Sequence, residues 1–294
     1  MSENEVGRVG FAVSGASGAV GGRVATHLAS LGHGQRLIVR NIDRAPDLPG
    51  AGVAQASYDD PEAMRRALDG VETFFMVSAG EAADRVRQHV AAVDAAVAAG
   101  FERIVYLSFI NATQEATFTF ARDHWHTEGH VRALGLRHTF LRDNMYLDFL
   151  PGLAGTDGVI RGPAGDGRIG AVARDDVAAV AVAVLLGEGR DGQTYDVTGS
   201  EAITLQQAAE ALSQVTGRDV TYRKETLEEA YGSRASYGAP DFEVEGWVTT
   251  YTAIAAGEMD VLSDTVVRLT GHAPMTLADF LSRHPESYQH LLGN

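Results

Sequence analysis

Short apolar, β-branched runs alternate with longer stretches whose apolar residues recur every three or four positions, and this alternation fills the first half of the chain. Such a pattern belongs to strands joined by crossover helices in a parallel sheet. "VGFAVSG" (9–15) reads as a buried first strand, and "AVGGRVATHLASLG" as a helix with Val20, Val24, Leu28 and Leu31 on one face. "RLIVR" (36–40) and "GVAQASY" (52–58) read as the second and third strands. "DPEAMRRALDG" opens a helix on Asp60 with Pro61 at its first position. "VETFFMVS" (71–78) is a fourth strand, followed by a long helix ending at Gly100. "RIVYLSF" (103–109) and "RHTFLR" (137–142) are the fifth and sixth strands.

Beyond Pro151 the pattern changes. "GLAGTDGVIRGPAGDGRIG" is rich in glycine and turns. "RDDVAAVAVAVLLGE" is a helix and "GQTYDVTG" a strand, both expected to return to the sheet. From Thr204 onward the segments read as helices with a strand or two. The expectation is an α/β chain: a doubly wound, Rossmann-like parallel sheet with a smaller, mostly helical C-terminal lobe. Residues 1–150 would form the dinucleotide-binding domain, with 171–200 returning to it, and 151–170 and 201–294 the substrate-side lobe.

Composition narrows the function classes. A formal charge of −15 argues against a nucleic-acid footprint, which needs a basic face. No apolar run approaches the ~20 residues that span a bilayer, and the short acidic opening "MSENEVGRVG" matches neither a signal peptide nor a presequence. With 0 cysteines there is no thiolate nucleophile or sulfur-ligated metal. The expectation is a cytoplasmic protein that takes a small-molecule substrate, as a monomer or homodimer, without nucleic-acid or membrane partners.

Candidate chemistry starts at "GASGAVG", between the first strand and its helix. Gly15 permits the tight turn, Gly18 lets backbone approach a pyrophosphate, and Gly21 lets the helix pack against the strand. The stretch Gly15, Ala16, Ser17, Gly18, Ala19, Val20 and Gly21 is therefore the candidate phosphate loop, with amide N–H groups at the helix start as donors. The second strand ends "IVRN", with Arg40 where an NAD site carries an acid and Arg44 one turn on; a cation there favours NADP(H).

Together with "LIVRN", "ASYDDPEAM", "IVYLSF", "HTFLRDNMYLDFLP" and "RLTGHAPMTLADFL", the glycine loop makes the chain resemble the NmrA-like branch of atypical short-chain dehydrogenases. It is most similar to the NADPH-dependent quinone reductase and triphenylmethane dye reductase subgroup. The resemblance implies an NADPH-dependent reductase passing hydride to a quinone or similar conjugated, aromatic acceptor. By position it implies cofactor contacts at Arg40, at Asp59 beside Tyr58, at Val77 and Ser78, and at Ser108 and Phe109 near the nicotinamide. Asn144 and Tyr146 would face the substrate, so Ser108, His124, Asn144 and Tyr146 are the candidate catalytic residues, with Phe109 and Trp125 as further pocket walls.

Two features depart from the pattern. Tyr-x-x-x-Lys is absent, because the position four before the sole lysine, Lys224, is Val220. Many relatives keep a lysine on the helix after the fifth strand, where Gly129 stands here, just after Glu128. These departures favour one alternative, a non-catalytic NADP(H)-binding redox sensor; a second, a tailoring reductase of secondary metabolism, is not separable by sequence from the quinone reductase. The same helix carries "HWHTEGH" (124–130). His126 and His130 could share a face, but Thr127 follows His126 where a zincin has Glu, so no metal site is expected. By resemblance His124 is the candidate proton donor; His126 and His130 read as solvated.

Overall fold

The computed structural model describes residues 9–292 apart from 102; the acidic opening stretch, residues 1–8, lies outside them. In chain order the first elements are β1 (Val9–Ser14), α1 (Ala19–Ser30), β2 (Gln35–Val39), β3 (Ala51–Gln55), α2 (Pro61–Leu68), β4 (Val71–Met76), α3 (Arg85–Ala98), β5 (Arg103–Phe109), α4 (Thr119–Ala133) and β6 (Arg137–Asp143). There follow β7 (Val159–Gly162), β8 (Arg168–Ile169), α5 (Arg174–Leu186), β9 (Gln193–Val197), β10 (Ile203–Thr204), α6 (Leu205–Thr216), β11 (Thr221–Lys224), α7 (Leu227–Arg234), α8 (Asp241–Ala255), α9 (Thr265–Thr270) and α10 (Leu277–Arg283).

Seven strands form the main sheet in the order β3-β2-β1-β4-β5-β6-β9. The registers of β1 with β2 and β4, of β2 with β3, and of β4 with β5 are all parallel. After β1 the chain winds to one side through β2 and β3, then crosses back to lay β4 on the other side of β1. That reversal is a topological switch point, where open α/β sheets bind ligands beyond the carboxyl ends of their strands.

Local chemistry explains the element ends. Asp60 Oδ1 accepts from Ala63 N at 2.9 Å, with Pro61 in the first helical position, so α2 starts where the sequence places it. Thr204, Thr226 and Thr276 each begin a helix with a reciprocal capping box to Gln207, Glu229 and Asp279. Leu31 departs from expectation: α1 stops at Ser30, and Leu31 is 52% exposed because it lies beyond the buried Val20, Val24 and Leu28.

By contact the chain divides into two compact units. The first runs through Ser108 and adds Asp123–Arg142 and Val177–Tyr195. Its core includes Phe74, Met76, Tyr106, Val131 and Phe140. The second comprises Phe109–Arg122, Asp143–Asp176 and the chain from Asp196. Its core gathers Ile160, Leu212, Ile254, Leu281 and Leu291, and two small sheets, β10-β8 and β11-β7, stiffen it. Among the described residues no helix is long and apolar enough to cross a membrane.

Candidate functional site

In the first unit, β1 delivers the chain into Gly15, which adopts a φ of 60° in the left-handed region where glycine carries no Cβ penalty. Gly18 N donates to Gly15 O at 2.8 Å and closes the turn. A Cβ on Gly21 would overlap the backbone carbonyl oxygens of Ser14 and Gly15, so α1 can lie this close to β1 only with glycine there. Gly18 caps α1 without a side-chain bond, and the first turn holds no acid. The positive end of the helix dipole is left uncompensated, as an anion site requires. Ala16 and Val20 are buried beneath the turn, while Gly15, Gly18 and Ala19 are exposed and Ser17 half-buried.

Arg40 follows directly on β2, next to β1, and is exposed. Among the described residues the guanidiniums of Arg40 and Arg44 have no hydrogen-bond or ion-pair partner. An open phosphate cradle with an unpaired cation at the next strand end fits a diphosphate carrying a further phosphate. The Asp59 carboxylate pairs with Arg87 at 2.9 Å on the surface.

The end of β4 is tied to β1 by a small network. Val77 N donates to Ser14 Oγ at 2.9 Å, Tyr58 Oη donates to Val77 O at 2.7 Å, and the two hydroxyls meet at 2.6 Å. Burial holds the Tyr58 phenol protonated, well above its ordinary range. Ser78 is half-buried, and the next residue is clamped at both backbone groups: Ala79 N donates to His89 Nε2 at 2.8 Å, and Arg85 Nε donates to Ala79 O at 3.0 Å.

These bonds dictate the histidine tautomers. His89 Nε2 accepts, so in the neutral ring Nδ1 carries the proton and donates to Thr127 Oγ1 at 2.9 Å; Thr127 in turn donates to Asp123 O at 2.8 Å. His124 Nε2 lies 3.1 Å from Arg85 Nη2, which can only donate, so His124 Nδ1 donates to Tyr106 Oη at 2.8 Å. Burial and the Arg85 charge push His89 down to about 3 and move His124 in the same direction. His124, the sequence's proton-donor candidate, is thus a neutral buried ring bonded at both nitrogens.

On α4 the buried positions are Phe120, Ala121, His124, Thr127, Glu128 and Val131. Glu128 accepts from Ser108 Oγ at 2.7 Å, from Arg142 Nε at 2.8 Å and Nη2 at 2.7 Å, and from Arg132 Nη2 at 2.9 Å. Ser108, expected near the nicotinamide, is therefore bonded to this buried carboxylate. Gly129 lies on the exposed side of α4, and a Cβ there would meet nothing within 4 Å. A lysine at 129 would stand away from the buried face, so its absence takes nothing from that face. Lys224 pairs with Asp166 at 2.6 Å on the surface of the second unit. His130 Nε2 lies 2.7 Å from Asp94, and exposed His126 sits edge-on to Trp125.

In the second unit, Phe109 packs against Phe118 at 5.1 Å between ring centroids. Asn144 is fully buried; its Nδ2 donates to Met259 O at 3.0 Å and its Oδ1 accepts from Met145 N at 2.8 Å, which fixes the turn after β6. Tyr146 donates its phenolic hydrogen to Asp143, and burial together with that carboxylate holds the phenol protonated. The Arg174 guanidinium lies 4.8 Å from the Tyr146 ring centroid.

Sequence reasoning missed Arg85, His89 and Tyr106, which meet around His124, and the pairing of Glu128 with Arg142. One signal was available: Arg85 and His89 fall four apart on α3, where His89 shares the spacing of buried Val93 and Ala96. A titratable residue on an apolar face marks a buried network or a site.

Comparison with known proteins places this geometry among reductases. The chain is 32% identical to quinone oxidoreductase 2 of Escherichia coli K12 over 92% of its own length and 97% of that protein's. It is 34% identical to the (4-alkanoyl-5-oxo-2,5-dihydrofuran-3-yl)methyl phosphate reductase of Streptomyces griseus, over 94% of this chain and 98% of that one. The structure of Citrobacter sp. triphenylmethane reductase complexed with NADP(H) superposes with a TM-score of 0.83 at 32% identity, covering 93% of this chain and 99% of that chain. The model of the NmrA-like family matches residues 10–239. This chain belongs to the NmrA-like family.

Proposed function

We propose that this protein is an NADPH-dependent reductase that passes hydride to a quinone or a similarly conjugated acceptor. The observation that carries the reading is the uncapped start of α1 over the Gly15–Gly21 turn, with the Arg40 guanidinium, unpartnered among the described residues, at the end of β2. Relatives of matching length are a quinone oxidoreductase and a reductase of an oxo-dihydrofuran phosphate, and the neighbouring reductase structure holds NADP(H).

In this reading the amides at the head of α1 hold the diphosphate and Arg40 holds the 2′-phosphate, with Arg44 close behind it. Asp59, Val77 and Ser78 flank the adenosine half, and Ser108 and Phe109 flank the nicotinamide. The bound cofactor supplies the hydride, while the protein supplies orientation and a dry, shaped surface. His124 acts by position: bonded to Arg85 and Tyr106, it helps keep Arg85, and through it Ala79, in place. Tyr146, whose single hydroxyl hydrogen goes to Asp143, offers the acceptor its ring. Asn144 shapes the turn that presents Tyr146. A hydroquinone oxygen can take its proton from water, so the absence of Tyr-x-x-x-Lys is compatible with quinone chemistry.

The test is oxidation of NADPH by the purified protein against a panel of quinones. Turnover on at least one acceptor is expected. Tight NADPH binding with no turnover on any of them would contradict the reading and favour a non-catalytic sensor.

A further inference from the structure

We propose that Arg174 is a specificity-determining residue that selects planar acceptors bearing an anionic substituent, such as a sulfonate, carboxylate or phosphate. The inference rests on the reading above that Tyr146 faces the acceptor. Two reciprocal backbone bonds, Leu147 N to Val172 O and Val172 N to Met145 O, both 3.0 Å, lay the turn after β6 alongside the start of α5. The Arg174 guanidinium is thereby brought over two aromatic rings, 4.8 Å from the centroid of Tyr146 and 4.5 Å from that of Phe149. Asp148 accepts from Arg174 N at 3.2 Å and from Nη1 at 3.4 Å, which orients the side chain.

What remains is an unfilled donor set. Arg174 Nε is buried without a hydrogen-bond partner, and Nη2 has none among the described residues. A side chain that leaves N–H donors without acceptors and is still 19% exposed gains by meeting an acceptor atom. A guanidinium stacked on rings is weakly hydrated and keeps its in-plane N–H groups for an oxyanion. Phe149 is 50% exposed, a large apolar ring left at the surface beside this cation, and suits the face of a flat conjugated ligand.

The test is equilibrium binding to the NADP⁺-loaded protein of a naphthoquinone sulfonate and of the unsubstituted naphthoquinone, in the wild type and in Arg174→Gln and Arg174→Lys. The wild type is expected to prefer the sulfonate by about tenfold or more, as befits one charge-assisted contact. That ratio should fall close to one in Arg174→Gln, be partly kept in Arg174→Lys, and shrink as salt is added to the wild type. A wild-type ratio near one, or a ratio unchanged in Arg174→Gln, overturns the proposal. If Arg174→Gln does not fold, a wild-type ratio insensitive to salt overturns it instead. Because binding is read without turnover, the outcomes separate: discrimination without quinone reduction would sink the reductase reading alone, and reduction without discrimination would sink this inference alone.

Discussion

At Gly21 a single added methyl group would run into the carbonyl oxygens of Ser14 and Gly15, so this one residue decides how near the head of α1 stands to the end of β1. Arg40 acts at the same scale through charge. His89 shows what a buried polar residue costs. The folded chain keeps it neutral down to about pH 3, whereas an ordinary histidine takes up its proton near 6.5. Between those values the unfolded chain binds more protons, so stability is fully present above about pH 6.5 and falls as the pH drops towards about 3. His124 shifts in the same direction and adds to the slope. Urea midpoints measured from neutral pH downward should decline through this window, and His89→Gln should flatten the decline while lowering stability at neutral pH. Equal slopes in the two proteins would contradict this account of His89.

At the scale of elements, α4 buries the polar His124, Thr127 and Glu128 beside the apolar Phe120, Ala121 and Val131. Glu128, inaccessible to solvent, is held by Ser108, Arg132 and Arg142, and so joins α4 to the ends of β5 and β6. Removing one charge from such a buried group strands the others, at about 3–5 kcal/mol. Glu128→Gln should therefore lower unfolding stability by roughly 3 kcal/mol, read from denaturant curves; a loss below about 0.5 kcal/mol would show the cluster to be solvated. Elements with local signals were legible: Asp60 and Pro61 announced α2, and alternating runs announced β1 to β6. β8 and β10 were not, since two residues each cannot display a period. The glycine turn could be read because its chemistry lies within seven consecutive residues. The Arg85–His124 contact could not, because its partners stand 39 residues apart and meet only through the fold. Gly129 was given weight from position alone, and the structure places it on the exposed side of α4.

Across the whole molecule, a chain with a net charge of −15 is proposed to bind a polyanionic cofactor. General attraction cannot do this, so recognition has to be local: an uncapped helix start and guanidiniums without carboxylate partners among the described residues. The relatives match along nearly their entire lengths, so the likeness extends to both compact units and is not confined to the dinucleotide loop. The most direct test is the dissociation constant of the purified protein for NADPH and for NADH, in the wild type and in Arg40→Ala. The wild type should bind NADPH about tenfold or more tightly than NADH, and Arg40→Ala should erase most of that preference while leaving NADH affinity within about twofold. Equal affinity for the two nucleotides in the wild type, or an unchanged preference in Arg40→Ala, would contradict the assignment.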